Sequence, residues 1–121
     1  MPKRVLDIGN CGPDHAALTE LIRSNFDAAV DRADRLTDAV SLLERGGYSL
    51  ALVNRLLDGD GSPGIDVIRS LREKYPELPM MMLTNFDDHQ QTAVAAGAVA
   101  GFGKRDLQSE STLSLLANYL A

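Results

Sequence analysis

At four positions along the chain, glycine or a polar side chain stands at or just after the end of a short apolar run. They are Gly9-Asn10, Asn54, Thr84 and Lys104. A lysine ammonium and a threonine hydroxyl, together with backbone N–H groups, can hold an anion such as a phosphate or a carboxylate. No nucleophile–base pair can be assembled from these residue types, so we expect no enzymatic activity. The chemistry that they can support is anion recognition.

The elements that must position these residues alternate between β-type and helical patterns. Apolar runs predict strands over residues 4–8, 28–30, 49–53, 79–83 and 99–102. Helical patterns start at about residue 13, cover about residues 33–45, 65–75 and 87–96, and start again at about residue 106. This alternation predicts an α/β fold, a single (βα)5 domain over residues 1–121. In such sheets, chemistry lies at the carboxyl ends of the strands.

Composition excludes several classes of function. The chain has 121 residues with 12 Lys+Arg against 17 Asp+Glu, a formal net charge of −5, and no cluster of basic residues. We therefore expect no direct contact with nucleic acid, whose binding depends on cationic side chains. A single cysteine, Cys11, excludes an intramolecular disulfide. No signal peptide or membrane-length apolar stretch is evident, so we expect a free-standing cytoplasmic module that does not contact membranes.

The order and spacing of the strand-end residues carry a resemblance to a known family. Asn10 and Asn54 are 44 residues apart, Asn54 and Thr84 are 30 apart, and Thr84 and Lys104 are 20 apart. Three strings support the alignment: residues 54–68 (NRLLDGDGSPGIDVI), 83–85 (LTN) and 96–106 (AGAVAGFGKRD). Together they resemble the receiver domain of two-component response regulators over the whole chain. The resemblance implies the CheY-like fold, a doubly wound parallel five-stranded sheet with strand order 2-1-3-4-5.

The resemblance also assigns roles to the strand ends. In that family the first strand ends in an acidic pair, the third in the phospho-accepting Asp, the fourth in Thr or Ser, and the fifth strand precedes a Lys. Thr84 and Lys104 match that pattern. Gly9 and Asn10 stand at degenerate acidic-pair positions, and Asn54 at a degenerate phospho-acceptor position. Because three negative charges are missing, we expect Mg²⁺ binding to be lost and no cofactor to be needed.

The function implied is a receiver domain of a response regulator in phosphorelay signal transduction. Without the acceptor carboxylate, we expect a pseudo-receiver that works by protein–protein interaction with a sensor kinase or a downstream effector. The expected contact surface, which would also serve a homodimer, is the face of the fourth helix, fifth strand and fifth helix. Its candidate residues are Phe86, His89, Gln90, Ala93, Phe102 and Arg105.

Two other functions stay open. One is a phospho-responsive regulator with a non-standard acceptor: Asp58, Asp60 or a deamidated Asn54. The other is a small-anion-binding module in which residues 9–12 (GNCG) precede a helix N-terminus at the strand-end crevice. Lys104 is either part of an anion pocket or a solvated lysine paired with Asp58, Asp60 or Asp14.

Two further polar positions are harder to interpret. Asp7 interrupts an apolar strand, so its carboxylate must either face a partner such as Arg or Lys or break the burial of that strand. His15 and His89 lack a framework of metal ligands, which favours solvated histidines on helix surfaces.

Overall fold

Five strands alternate with five helices along the chain in the computed structural model, which describes residues 2–121. The strands are β1 (Lys3–Ile8), β2 (Ala28–Ala33), β3 (Leu50–Asn54), β4 (Met80–Leu83) and β5 (Val99–Phe102). The helices are α1 (Gly12–Asn25), α2 (Leu36–Leu43), α3 (Gly64–Lys74), α4 (Asp87–Ala95) and α5 (Glu110–Leu120). A short 3-10 turn, Lys104–Asp106, precedes α5. Within residues 2–121, no helix combines the length and apolar character that a membrane span needs.

All strand pairs are parallel, and the strand order is β2-β1-β3-β4-β5. This confirms the predicted doubly wound α/β architecture of the CheY-like type. Side chains of the central strands alternate between two apolar layers, as the two-residue period of a strand requires. One layer, which includes Ile8, Val53 and Met82, packs under α2, α3 and α4. The other, which includes Leu52 and Met81, packs under α1 and α5.

Three predicted boundaries differ from the structure by three or four residues, at the end of β2 and at the starts of α2 and α5. β2 extends to Ala33 because it pairs with β1 along its full length, so α2 begins only at Leu36. α5 begins at Glu110 rather than near residue 106. There, Ser109 accepts a hydrogen bond from the backbone N–H of Thr112 and caps the helix.

Candidate functional site

The carboxyl ends of β3, β4 and β5 bring three of the predicted site residues to one cavity. Asn54, Thr84 and Lys104 line a cavity of about 180 Å³ together with Arg55, Leu83, Asn85 and Phe86. Parallel strands end on the same edge of the sheet, which is why residues far apart in sequence meet here. Gly9 and Asn10 lie beside this cavity in the β1–α1 loop, outside its lining.

Asn54 ties β3 to the β1–α1 loop. Its Nδ2 donates a hydrogen bond to the carbonyl oxygen of Gly9 at 3.0 Å. The amide is therefore part of the scaffold between two strand ends. An amide oxygen is also a much weaker nucleophile than the carboxylate of an aspartate.

Gly9 stands where no side chain fits. Its φ is +79°, and a Cβ atom placed on it would lie 2.9 Å from Cα of Leu57 and closer still to Cγ of that residue. The backbone N–H of Asp58 also donates to the Gly9 carbonyl at 2.8 Å, which holds the β3–α3 loop against the β1–α1 loop. An acidic side chain is thus sterically excluded from this acidic-pair position. The glycine is evident in the sequence, but the close approach of Leu57 is not.

Asp7 is fully buried, and its partners are on α1 and the loop before it. Asn10 Nδ2 donates to one carboxylate oxygen, and His15 Nδ1 lies 2.7 Å from the other. The prediction of a solvated His15 is wrong, because its ring nitrogen contacts the buried Asp7 carboxylate and its side chain is only 22% exposed. An arginine or lysine partner for Asp7 is likewise not what the structure shows. The orientation of the Asn10 amide is set by Asp7, and the buried Asn10 Oδ1 has no hydrogen-bond partner among residues 2–121.

Lys104 pairs with an aspartate across the crevice. Its Nζ lies 2.6 Å from Asp14 Oδ2, and both side chains are about one-third exposed. The hydrogen bond from Lys104, helped by one from Cys11, holds the pKa of Asp14 below its usual value, although partial burial acts in the opposite direction. Of the three partners considered for Lys104, the structure therefore selects Asp14.

The two aspartates considered as non-standard phospho-acceptors, Asp58 and Asp60, belong to the β3–α3 loop. The exposed Asp60 accepts a hydrogen bond from the backbone N–H of Ser62, and hydrogen bonds from Ser62 lower the pKa of this carboxyl group. Asp58 is exposed, and among the residues that the structure describes neither carboxylate lies within 4.0 Å of the Lys104 ammonium. The contact of Asp60 with Ser62 is that of a turn.

Thr84 and Gln90 connect β4 with α4 and β5. Thr84 Oγ1 accepts from the backbone N–H of Phe86 at 3.3 Å and lies 3.4 Å from His89 Nδ1. Gln90 donates to the carbonyl of Met82 at 2.9 Å and accepts from the N–H of Gly101 at 3.0 Å. The register between β4 and β5 shifts at this point. The carboxamide thus supplies hydrogen bonds where the strand ladder is irregular, a role that no sequence motif indicated.

The predicted contact face is only partly available. Phe86 is 55% exposed, and Arg105 is also exposed, while His89 and Gln90 are half-buried. Ala93 and Phe102 are wrong as surface candidates, because both are buried. Ala93 packs in the layer between α4 and the sheet, and Phe102 in the layer shared with α1 and α5.

The residues of the crevice do not fit the Mg²⁺ ion that the resemblance implies. Gly9 has no side chain, the Asn10 amide is held by Asp7, and the nearby carboxylate, Asp14, already bonds an ammonium group. Mg²⁺ gives up its hydration shell reluctantly and is usually held by carboxylates and substrate phosphates. Within residues 2–121, no group of three or more His, Cys, Asp or Glu side chains could hold a metal ion.

Comparisons with known proteins establish the fold. No family model matches the chain, and no curated protein sequence matches it. Among solved structures, a putative response regulator from Chloroflexus aurantiacus is similar with a TM-score of 0.85 and 19% identity, covering 98% of each chain. A response regulator from Thermotoga maritima has a TM-score of 0.80 and 20% identity, again over 98% of each chain.

Vibrio cholerae chemotaxis protein CheY4 has a TM-score of 0.81 and 17% identity, over 99% of this chain and 100% of that one. The chain also matches NtrX from Brucella abortus with a TM-score of 0.84 and 15% identity, and spans 27% of that longer chain. These matches confirm that the chain has the CheY-like fold.

Proposed function

We propose that this chain is a receiver-type module of two-component signalling that has lost phosphorylation and acts non-enzymatically, by binding other proteins. The observation that carries this proposal is Asn54. It occupies the strand end that holds the phospho-accepting aspartate in the family the chain resembles, and its amide is bonded to the Gly9 carbonyl.

The groups that phosphoryl transfer requires support the proposed loss of phosphorylation. Transfer to a receiver needs a carboxylate nucleophile and a cation that offsets the charge of the moving phosphoryl group. Asn54 provides no nucleophile. The loop of Gly9 and Asn10 provides no carboxylate for the cation, and the contact of Gly9 with Leu57 leaves no room for one. Each of these two observations supports the proposed loss of phosphorylation independently of the other.

The groups that would respond to a phosphate already have partners inside the domain. Lys104 bonds Asp14, and Thr84 contacts both His89 and the backbone of Phe86. Gln90 bridges β4 and β5 through its carboxamide. A phosphate would have to replace several of these contacts to change the shape of α4. We therefore propose that signalling depends on the concentration of the partner and not on phosphate.

One observation favours a phospho-responsive alternative. Asp14 is a carboxylate within hydrogen-bond distance of Lys104, the contact that a substitute acceptor requires. Asp58 and Asp60 have no such contact, and their loop positions satisfy local turns. If phosphorylation survives, Asp14 is the first residue to test.

Incubation with acetyl phosphate and Mg²⁺, followed by intact-mass measurement, tests the proposal. The wild type and Asp14→Asn are compared, with a receiver domain that retains its acceptor aspartate as the positive control. We expect neither chain to gain the mass of a phosphoryl group. A phosphoryl adduct on the wild type that is absent from Asp14→Asn would support the alternative, and an adduct on both would place the acceptor elsewhere and reject the proposal.

A further inference from the structure

Two neighbouring cavities share Arg55 at the carboxyl edge of the sheet. The first is the cavity of about 180 Å³ that reaches Asn54, Thr84 and Phe86. The second, of about 190 Å³, lies between the β3–α3 loop and α4. Its lining consists of Arg55, Leu56, Pro63, Ile65, Met82, His89 and Thr92. Together these two cavities are called the Arg55 groove.

Large apolar side chains flank the Arg55 groove and face solvent. Leu56 is 45% exposed and Phe86 is 55% exposed. Leu56 is presented by a short antiparallel bridge with Pro63, and the Phe86 ring packs edge-on against His89 with ring centroids 5.3 Å apart. Exposed apolar side chains that are grouped around concave surface are typical of sites that bind other molecules.

The charges along the Arg55 groove have a definite pattern. Among residues 2–121 no acidic side chain lines either cavity, and the Arg55 side chain has no hydrogen bond or ion pair. Lys104, the other cation of the lining, is neutralised by Asp14. The exposed Asp58, Asp87 and Asp88 lie just beyond the lining residues in sequence. The groove therefore has an unpaired cation in its lining, in a chain whose formal net charge is −5.

The size of the two cavities favours side chains as occupants. Pockets for drug-sized molecules have volumes of about 300–1,000 Å³, and each of these cavities is smaller than that range. Two small cavities beside one guanidinium group suit an extended chain that places an apolar side chain in each and a carboxylate between them. Arginine binds carboxylates through two parallel hydrogen bonds, which adds specificity to the apolar contacts.

We propose that the Arg55 groove binds an extended segment of a partner protein in which an apolar residue, an acidic residue and a second apolar residue stand at alternate positions, so that all three face the groove, and basic residues lie at the ends. The proposal rests on the proposed function, since it identifies the surface through which a phosphate-independent module meets its partner. The basic ends are required because the formal net charge of −5 on the chain would repel a segment that is acidic throughout.

A fluorescein-labelled, amidated peptide Lys-Leu-Ser-Glu-Ser-Leu-Lys, in which both leucines and the glutamate point to one face of an extended chain, tests this proposal by fluorescence anisotropy. We expect saturable binding to the full chain, and Arg55→Glu should weaken it by about tenfold or more. The matched control is Arg23→Glu, because Arg23 is also exposed and lies in the last turn of α1. It should change the Kd by less than about twofold. Replacing the peptide glutamate by lysine should restore binding to Arg55→Glu.

Urea denaturation of both variants establishes that they are folded before binding is compared. The proposal is overturned if the peptide does not bind at about 1 mM protein, or if Arg55→Glu and Arg23→Glu weaken binding equally. It is also overturned if sedimentation shows a wild-type dimer that Arg55→Glu dissociates, because a second copy would then occupy the groove. None of these results affects the acetyl phosphate experiment. A wrong proposal for the Arg55 groove can therefore be distinguished from a wrong proposal of phosphate-independent function.

Discussion

On the β1 side of the carboxyl edge, functional side chains bond to other parts of the domain, whereas beside the β3–α3 loop and α4 they face solvent. Asp7 is buried against His15, the Gly9 carbonyl accepts a hydrogen bond from Asn54, and Asp14 on α1 accepts one from Lys104. In the Arg55 groove, by contrast, Arg55 has no partner among residues 2–121 and Phe86 is more than half exposed.

The difference shows what each part of the edge contributes. A buried carboxylate such as Asp7 is costly unless its hydrogen bonds are satisfied, and the contacts from Asn10 and His15 make it part of the scaffold. Those contacts hold the β1–α1 loop in one arrangement. Exposed apolar and cationic groups add little to the free energy of unfolding of the chain. They can instead form favourable contacts when another molecule binds. The β1 side therefore maintains the structure, and the groove is available for recognition.

Substitution of Gly9 should have the largest effect on stability. Gly9→Ala forces a Cβ into contact with Leu57 and requires alanine to adopt a φ of +79°. We expect a loss of about 3 kcal/mol in the free energy of unfolding, measured by urea denaturation.

Gly61→Ala is the matched control for that measurement. Gly61 has a similar φ of +73°, but apart from Gly61 and its two chain neighbours no atom of residues 2–121 lies within 4 Å of the position that an alanine Cβ would take. Gly61→Ala should lower the free energy of unfolding by about 1 kcal/mol, because only the strain of a positive φ on alanine contributes. Equal losses in the two variants would show that the contact between Gly9 and Leu57 does not constrain the β1 side.

The Lys104–Asp14 pair should have a smaller effect that depends on pH. Because Lys104 lowers the pKa of Asp14 in the folded chain, the carboxylate stabilises the fold above its unfolded pKa of about 3.9. This stabilisation is lost as the pH falls through the folded pKa. Asp14→Asn should therefore cost about 0.5–1 kcal/mol at neutral pH, and the difference from wild type should shrink below about pH 4.

Asp38→Asn serves as the control, because Asp38 also lies in the first turn of a helix. Its nearest cation, Arg35, is 4.0 Å away, and both side chains are more than half exposed. Urea midpoints across the acid range compare the two variants. If Asp14→Asn and Asp38→Asn follow the same pH profile, Lys104 and Asp14 do not interact in the way that the structure indicates.

The sequence predicted the alternation of strands and helices because their periodicity is a local property, whereas the strand order followed from the resemblance and the end of β2 depends on its pairing with β1. It also predicted that Asn54, Thr84 and Lys104 meet, since the ends of parallel strands share one edge. Both predictions depend on regular geometry that any doubly wound sheet has.

The remaining features arise from tertiary packing that no local pattern encodes. Burial of His15 depends on the path of the β1–α1 loop, and exclusion of a side chain at Gly9 depends on Leu57 from another loop. Ala93 and Phe102 fit a surface helix and strand by position, yet both face the core. The unpaired state of Arg55 among residues 2–121 likewise becomes visible only in three dimensions.

Amide NMR with beryllofluoride and Mg²⁺ tests the central claim most directly, because this reagent imitates a phosphoryl group at an acceptor carboxylate. Spectra of the wild type are recorded before and after its addition, and the signals of Gly9, Asn54, Thr84 and Lys104 are followed. The account predicts that these amide signals do not move. Saturable shifts at Asn54, Thr84 and Lys104 would show that the crevice still responds to a phosphate-like ligand and would contradict the account.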